Sequence, residues 1–304
     1  MKRARIIYNP TSGREAFKKE LPAVLEKFEK AGYETSAHAT TGEGDAIEAA
    51  RTAVERQYDI VIAAGGDGTI NEVINGLAEQ EYKPRLGVIP VGTTNDFARA
   101  LTIPRDIQKA VDIILEDYSM LLDIGKVNNQ FFINIAGGGK LTELTYDVPS
   151  KLKTMIGQLA YYVKGIEMLP SLKPTHVKIE YDGNEIEEDI MLFLISNTNS
   201  VGGFEKLAPD ACLNDGYFDL LILRKTNLAE FIRIATLALR GAHLEDKHVI
   251  YAKAKHITVT PTDKMQLNID GEYGGLLPGE FRNLQQHIEF FVPESYFNRE
   301  TTED

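Results

Sequence analysis

Ile60-Val61-Ile62-Ala63-Ala64-Gly65-Gly66-Asp67-Gly68-Thr69-Ile70-Asn71-Glu72 decides the fold. A short, wholly apolar run suits a buried strand, the glycines break it in a tight turn, and a helical pattern begins at Ile70. Two other turns share this grammar: Asn9-Pro10-Thr11-Ser12-Gly13 after Arg5–Tyr8, and Gly92-Thr93-Thr94-Asn95-Asp96 after Leu86–Pro90. In a parallel sheet with right-handed crossovers, strand-to-helix loops gather at the carboxyl edge, so the three turns should meet in one cleft. Helix N-termini and free backbone N–H groups attract phosphate there, which predicts a polyphosphate nucleotide as ligand.

Outward from these turns, strands are predicted at Arg5–Tyr8, Glu34–Ala39, Asp59–Ala64 and Leu86–Pro90. Helices are predicted at Arg14–Ala31, Gly44–Arg56, Ile70–Ala78, Asn95–Leu101 and Ile107–Glu116. The alternation reads as a doubly wound α/β sheet. Pro22 should end or kink its helix. Ser12 with Glu15, Thr69 with Glu72 and Thr93 with Asp96 have capping-box spacing, so Glu72 and Asp96 could serve only to cap helices.

After Asp123 the pattern changes to strand pairs. Ile124–Val127 pairs with Phe131–Ile135 across Asn128-Asn129, and Thr175–Tyr181, Asp189–Ser196, Tyr217–Leu223, His256–Thr260 and Met265–Ile269 follow. Helices near Lys151–Met168 and Leu228–Leu239 interrupt this β-rich region, His287–Val292 is a last strand, and Asn298–Asp304 reads as frayed. The division expected is residues 1–123, completed by 290–304, and 124–289.

At 304 residues two domains are expected, with the 43% apolar and 26% charged shares of an ordinary globular protein. A net charge of −12 argues against a nucleic-acid binder. The single cysteine, Cys212, leaves no disulfide framework and fits a reducing cytoplasm. The basic start Met1–Pro10 is too short in apolar residues for a signal peptide, and no stretch approaches a spanning helix, so membrane contact would be peripheral.

Asp67 beside a phosphate turn makes chemical sense with an intervening cation, and Mg²⁺ is the natural one. Asp67 as a plain helix N-terminal anion remains the alternative. Walker A spacing is absent, as is Gly-x-Gly-x-x-Gly after the first strand. Asp270-Gly271-Glu272 sets two carboxylates at the end of an apolar strand, suited to accepting a hydroxyl proton; on spacing alone a plain Asp-Gly hairpin turn is the better reading. Asp210–Tyr217 could wrap a hard cation or simply turn into the next strand. Asn197–Phe204 and Ala136–Gly139 read as flexible loops that could line a substrate mouth. Lys151, Lys153 and Lys164 lie on an apolar helix, either as solvated lysines or as the cationic rim of an acyl pocket. The six histidines lack zinc-site spacing, and His38 and His256 fall in strands.

Together these marks resemble the soluble diacylglycerol kinases of Gram-positive bacteria, within the lipid kinases that include sphingosine and ceramide kinases. Ile7–Gly13, Gly65–Glu72, Pro90–Arg99, Leu213–Asp219 and Asp270-Gly271-Glu272 carry the likeness, which runs through essentially the whole chain. The resemblance implies a three-layer N-terminal nucleotide domain, like those of NAD kinase and phosphofructokinase, and a C-terminal β-sandwich whose last strand returns to the first domain. It implies ATP contacts from Asn9, Pro10, Thr11, Ser12, Gly13, Thr40, Gly65, Gly66, Asp67, Gly68, Thr69, Ile70, Asn71 and Thr93. Asp67, Asp96 and Asp123 would be water-linked to catalytic Mg²⁺, while Cys212, Asp215 and Tyr217 match a second, structural metal loop in which Cys212 and Tyr217 would act through backbone carbonyls. In that loop Asn214 stands where relatives often carry a carboxylate. Glu272 matches the proton acceptor, with Asp270 its competitor. Arg14, Lys19 and Lys164 would meet anionic headgroups.

The activity so implied is phosphorylation of 1,2-diacylglycerol to phosphatidate in phospholipid metabolism, by a cytoplasmic homodimer that visits the inner membrane face. Alternatives on the same residues are another lipid alcohol (phosphatidylglycerol or a sphingoid base), NAD kinase, and a nucleotide-sensing regulator without chemistry.

Overall fold

The structure is a computed structural model describing residues 1–139, 174–199, 207–209 and 211–302. The predicted helix with Lys151, Lys153 and Lys164, residues 200–204 of the predicted loop, and the side chain of Arg14 lie outside what is described. The chain forms two units, Met1–Leu122 with Gln286–Asp304, and Asp123–Gln285.

In the first unit, β1 (Lys2–Tyr8), β2 (Tyr33–Ala39), β3 (Ile60–Gly65) and β4 (Arg85–Pro90) form a parallel sheet in the order β4-β3-β1-β2. Every residue of β3 is buried, which is why that strand reads as a continuous apolar run. The helices are α1 (Ala16–Lys30), α2 (Asp45–Glu55), α3 (Asp67–Leu77), α4 (Asp96–Ala100) and α5 (Ile107–Glu116). α1 packs on α5 and α2 on α3. Because β1→β2 runs one way across the sheet and β2→β3→β4 the other, right-handed crossovers put α1 on one face and α2 and α3 on the opposite one.

Local expectations failed in instructive places. α1 does not end at Pro22 but continues from Ala16 to Lys30, because Phe17, Val24 and Phe28 bury one face and outweigh the lost backbone bond. None of the three capping boxes forms: the residues before α1, α3 and α4 are Glu15, Gly66 and Asn95, and none makes a side-chain cap. The tail is a helix, α7 (Glu294–Thr302), anchored by buried Tyr296 and by Phe297 against Tyr118 at 5.6 Å.

The second unit is antiparallel. Its strands are β5 (Ser119–Val127, which enters from the first unit), β6 (Gln130–Phe132), β7 (Ile135–Gly138), β8 (Thr175–Tyr181), β9 (Asn184–Ser196), β10 (Phe218–Arg224), β11 (Val249–Ala254), β12 (His256–Pro261), β13 (Gln266–Ile269), β14 (Glu272–Leu276) and β15 (Gly279–Phe291, which leaves into the first unit). The order β14-β13-β7-β9-β8-β12-β15 surrounds an apolar core including Phe132, Phe193, Phe218 and Phe281. The predicted hairpin across Asn128-Asn129 is present, but the strand after it breaks at Ile133-Asn134. Gly137 and Gly138 lie inside β7 rather than in a loop, since a side chain at Gly137 would strike the Phe193 carbonyl at 2.7 Å. α6 (Leu228–Ala238) begins with an Asn227–Glu230 capping box. Among the described residues no helix is long and apolar enough to cross a membrane.

Candidate active site

In the first unit, β1 and β3 are neighbours whose following chain departs in opposite directions, so their C-terminal loops flank the point where strand order reverses, the usual ligand position in open α/β sheets. Backbone bonds draw the loops together: Asn9 N–H donates to Ala64 (3.1 Å), Val91 N–H to Gly65 (2.9 Å) and Thr40 N–H to Tyr8 (2.9 Å). The Asn9 side-chain oxygen accepts from both the N–H and the hydroxyl of Thr11, which shapes the first turn. Gly13 has φ +56°, and a Cβ there would lie 2.6 Å from the Val91 carbonyl. A Cβ on Gly92 would lie 2.4 Å from the Gly66 Cα, so the second and third turns touch main chain to main chain. Only glycine permits that approach.

The N-terminus of α3 has no side-chain cap, and its first intrahelical bond is from Ile70 N–H to Gly66. The N–H groups of Asp67, Gly68 and Thr69 therefore precede the helical ladder and, with the helix dipole, suit an anion. Arg105 and Arg99 hold the Thr94 carbonyl, and Arg105 also the Thr93 carbonyl, which turns the oxygens of the third loop toward the guanidinium groups. Asp67 is half-buried, and one of its oxygens accepts Phe97 N–H at 3.1 Å. Its second oxygen has no partner among the described residues, which fits a hard cation. Asp96 is buried and pairs with Arg99 at 3.2 Å.

Glu72 caps a helix, but not its own. Its oxygens accept Gly44 N–H (3.0 Å) and Ala46 N–H (3.1 Å) at the start of α2. Asp45 accepts the N–H and hydroxyl of Thr41 and contacts His38; the Thr41 hydrogen bonds, aided by His38, hold its carboxyl below the usual range despite desolvation. The Thr40 loop is thus pinned from two sides, which nothing in the sequence announced.

In the second unit, Asp270 and Gly271 both have positive φ, and Ile269 pairs with Glu272, so the segment is the two-residue hairpin turn that spacing favoured. The Asp270 carboxylate is committed: it accepts the N–H groups of Ile133, Asn134 and Ile135, each at 2.9 Å. Glu272 is exposed. Asp123 is fully buried and accepts Gly216 N–H at 2.7 Å.

In the Cys212–Tyr217 loop the side chains of Cys212, Asn214 and Asp215 are engaged. Asp215 accepts Tyr217 N–H and the Lys253 ammonium, each at 2.9 Å, and the Asn214 side-chain oxygen accepts the Cys212 thiol. Burial disfavours the Lys253 charge, but the Asp215 hydrogen bond and the charges of Asp219 and Asp215 hold its pKa above the ordinary lysine value. Among the described residues no group of three or more His, Cys, Asp or Glu side chains is set to hold a metal ion.

The family described as the diacylglycerol kinase catalytic domain matches residues 3–127, and that described as the YegS C-terminal NAD kinase beta sandwich-like domain matches residues 145–292. A diacylglycerol kinase of Bacillus subtilis is 69% identical over 295 residues, 97% of each chain. One of Staphylococcus epidermidis is 59% identical over 303 residues, covering all of this chain and 96% of its own. A diacylglycerol kinase crystal structure from Bacillus anthracis aligns with TM-score 0.78 at 27% identity, over 97% of this chain and 98% of its own.

Proposed function

This chain belongs to the diacylglycerol kinase family, and on that premise we propose that it transfers the γ-phosphoryl group of ATP to the free hydroxyl of 1,2-diacylglycerol, giving phosphatidate and ADP. The observation that carries the reading is the uncapped start of α3, pressed against the Gly92 turn, with one oxygen of Asp67 left open. ATP is held by Asn9–Gly13, Thr40, Gly65–Asn71 and Thr93, mostly through main-chain N–H groups. Mg²⁺, when bound, neutralises charge on the triphosphate. Asp67, Asp96 and Asp123 would hold it through water. Glu272 takes the hydroxyl proton, because Asp270 spends its oxygens on the backbone. Positioning and electrostatics then do most of the catalysis.

A second cation at Cys212, Asp215 and Tyr217 requires Asp215 to exchange Lys253 for the metal. Arg14, Lys19 and Lys164 meet anionic headgroups when the enzyme, a cytoplasmic homodimer in this reading, visits the membrane.

The test supplies purified protein, labelled ATP and Mg²⁺ with diacylglycerol in mixed micelles, alongside phosphatidylglycerol, sphingosine and NAD. Label is expected in phosphatidate. Label confined to another lipid or to NADP overturns the substrate, and bound ATP with no product anywhere favours a nucleotide sensor.

A further inference from the structure

Ile133 and Asn134, between β6 and β7, lie outside any ladder yet are 0% and 4% exposed. Buried backbone of this kind must find partners elsewhere. Its N–H groups go to Asp270, as described. Its carbonyls go to Asn197, a residue 1% exposed just past the end of β9: the side-chain Nδ2 donates to Ile133 O (3.3 Å), and the backbone N–H donates to Asn134 O (2.8 Å). The same Nδ2 donates to the main-chain oxygen of Asp123 at 2.9 Å. One amide therefore joins the backbone of Asp123 to the segment that grips Asp270, and the hairpin turn carries that grip on to Glu272.

We propose that Asn197 is a positioning residue for phosphoryl transfer, fixing Asp123 relative to the turn that presents Glu272 while touching no substrate. The proposal rests on Glu272 as proton acceptor. Without the amide, the carbonyls of Asp123 and Ile133 lose their shared donor and the segment can shift; a displacement of about 1 Å at a reacting group costs roughly 100-fold in rate. Nucleotide affinity should fall far less than turnover, since the loops assigned to ATP belong to the first unit and only Asp123, through water and Mg²⁺ in the proposed reading, connects these residues to the nucleotide.

Asn197→Ala should lower kcat about 100-fold while the KM for ATP stays within about twofold, a split that general loosening of the fold would not give. Ser196→Ala is the control: Ser196 is 2% exposed and its Oγ has no partner among the described residues, so kcat should hold. Wild-type kcat in Asn197→Ala, or equal losses in both variants, overturns the proposal. Should Asn197→Ala fail to fold, hydrogen exchange on the wild-type protein decides. The amides of Ile133, Asn134 and Ile135 should then exchange only through global unfolding, and rapid exchange refutes the clamp. Glu272→Ala, assayed in parallel, separates the two failures. An active Glu272→Ala removes the acceptor reading and this proposal with it, whereas an inactive one beside a fully active Asn197→Ala removes the positioning role alone.

Discussion

Replacing Gly92 by alanine inserts a methyl group where two phosphate loops already touch. The new Cβ would sit 2.4 Å from the Gly66 Cα and 2.7 Å from the Asn95 side-chain oxygen, against an ordinary contact of 3.4 Å. The loops must then part by 3.4 − 2.4 = 1.0 Å, and main chain cannot rotate out of the way. Asn95 is held too, because its side chain both accepts Gly92 N–H and donates to the Gly92 carbonyl. Overpacking of this kind costs about 1–3 kcal/mol, a fall in Tm of roughly 3–10 °C. The larger effect is on chemistry, since the shift separates the α3 N-terminus from the third loop and should lower kcat/KM for ATP about 100-fold. Thermal unfolding and steady-state kinetics with saturating diacylglycerol read both quantities. A Gly92→Ala protein with wild-type Tm and wild-type kcat/KM for ATP would refute the claim that these turns form one phosphate cradle.

Glu72→Ala removes the acceptor for two N–H groups at the start of α2, so about 2 kcal/mol of stability should go and the KM for ATP should rise through the loosened Thr40 loop; an unchanged melting curve counts against it. Asp270→Ala strands three backbone N–H groups and should cost about 3–5 kcal/mol, whereas Glu272→Ala, at an exposed position, should leave Tm nearly intact while abolishing turnover. Equal melting temperatures in the two variants would contradict this division of labour. His176 has its pKa raised above 6.5, first by the hydrogen bond to Asp189 and then by Glu187. Its contribution to stability is therefore fully present below the unfolded pKa and is lost as pH rises through the folded one. NMR titration should give a His176 midpoint above 6.5 that falls in Asp189→Asn; a midpoint below 6.5 in the native protein disproves the pairing.

The sequence alone determined the strand–turn–helix units of the first unit, the hairpin turns of the second, and the glycine positions that crowd main chain against main chain. These were legible because each depends on residues a few positions apart, where period, turn chemistry and steric freedom act directly. The partners of the charged side chains were not legible. Glu72 suited its own helix by spacing, yet it caps a helix whose N–H groups lie 28 and 26 residues away. By spacing Asp270 could be a base or a turn residue, and only the fold set segment 133–135, 135 to 137 residues distant, beside its carboxylate, while Asn197 carried no mark of its contact with Asp123, 74 residues away. The continuation of α1 past Pro22 and the helix that reaches Thr302 have a related cause, since burial of one face overrode local propensity. A carboxylate or amide bonds with whichever backbone the folded chain sets beside it, and that neighbour is chosen by the packing of whole elements, which local spacing does not encode.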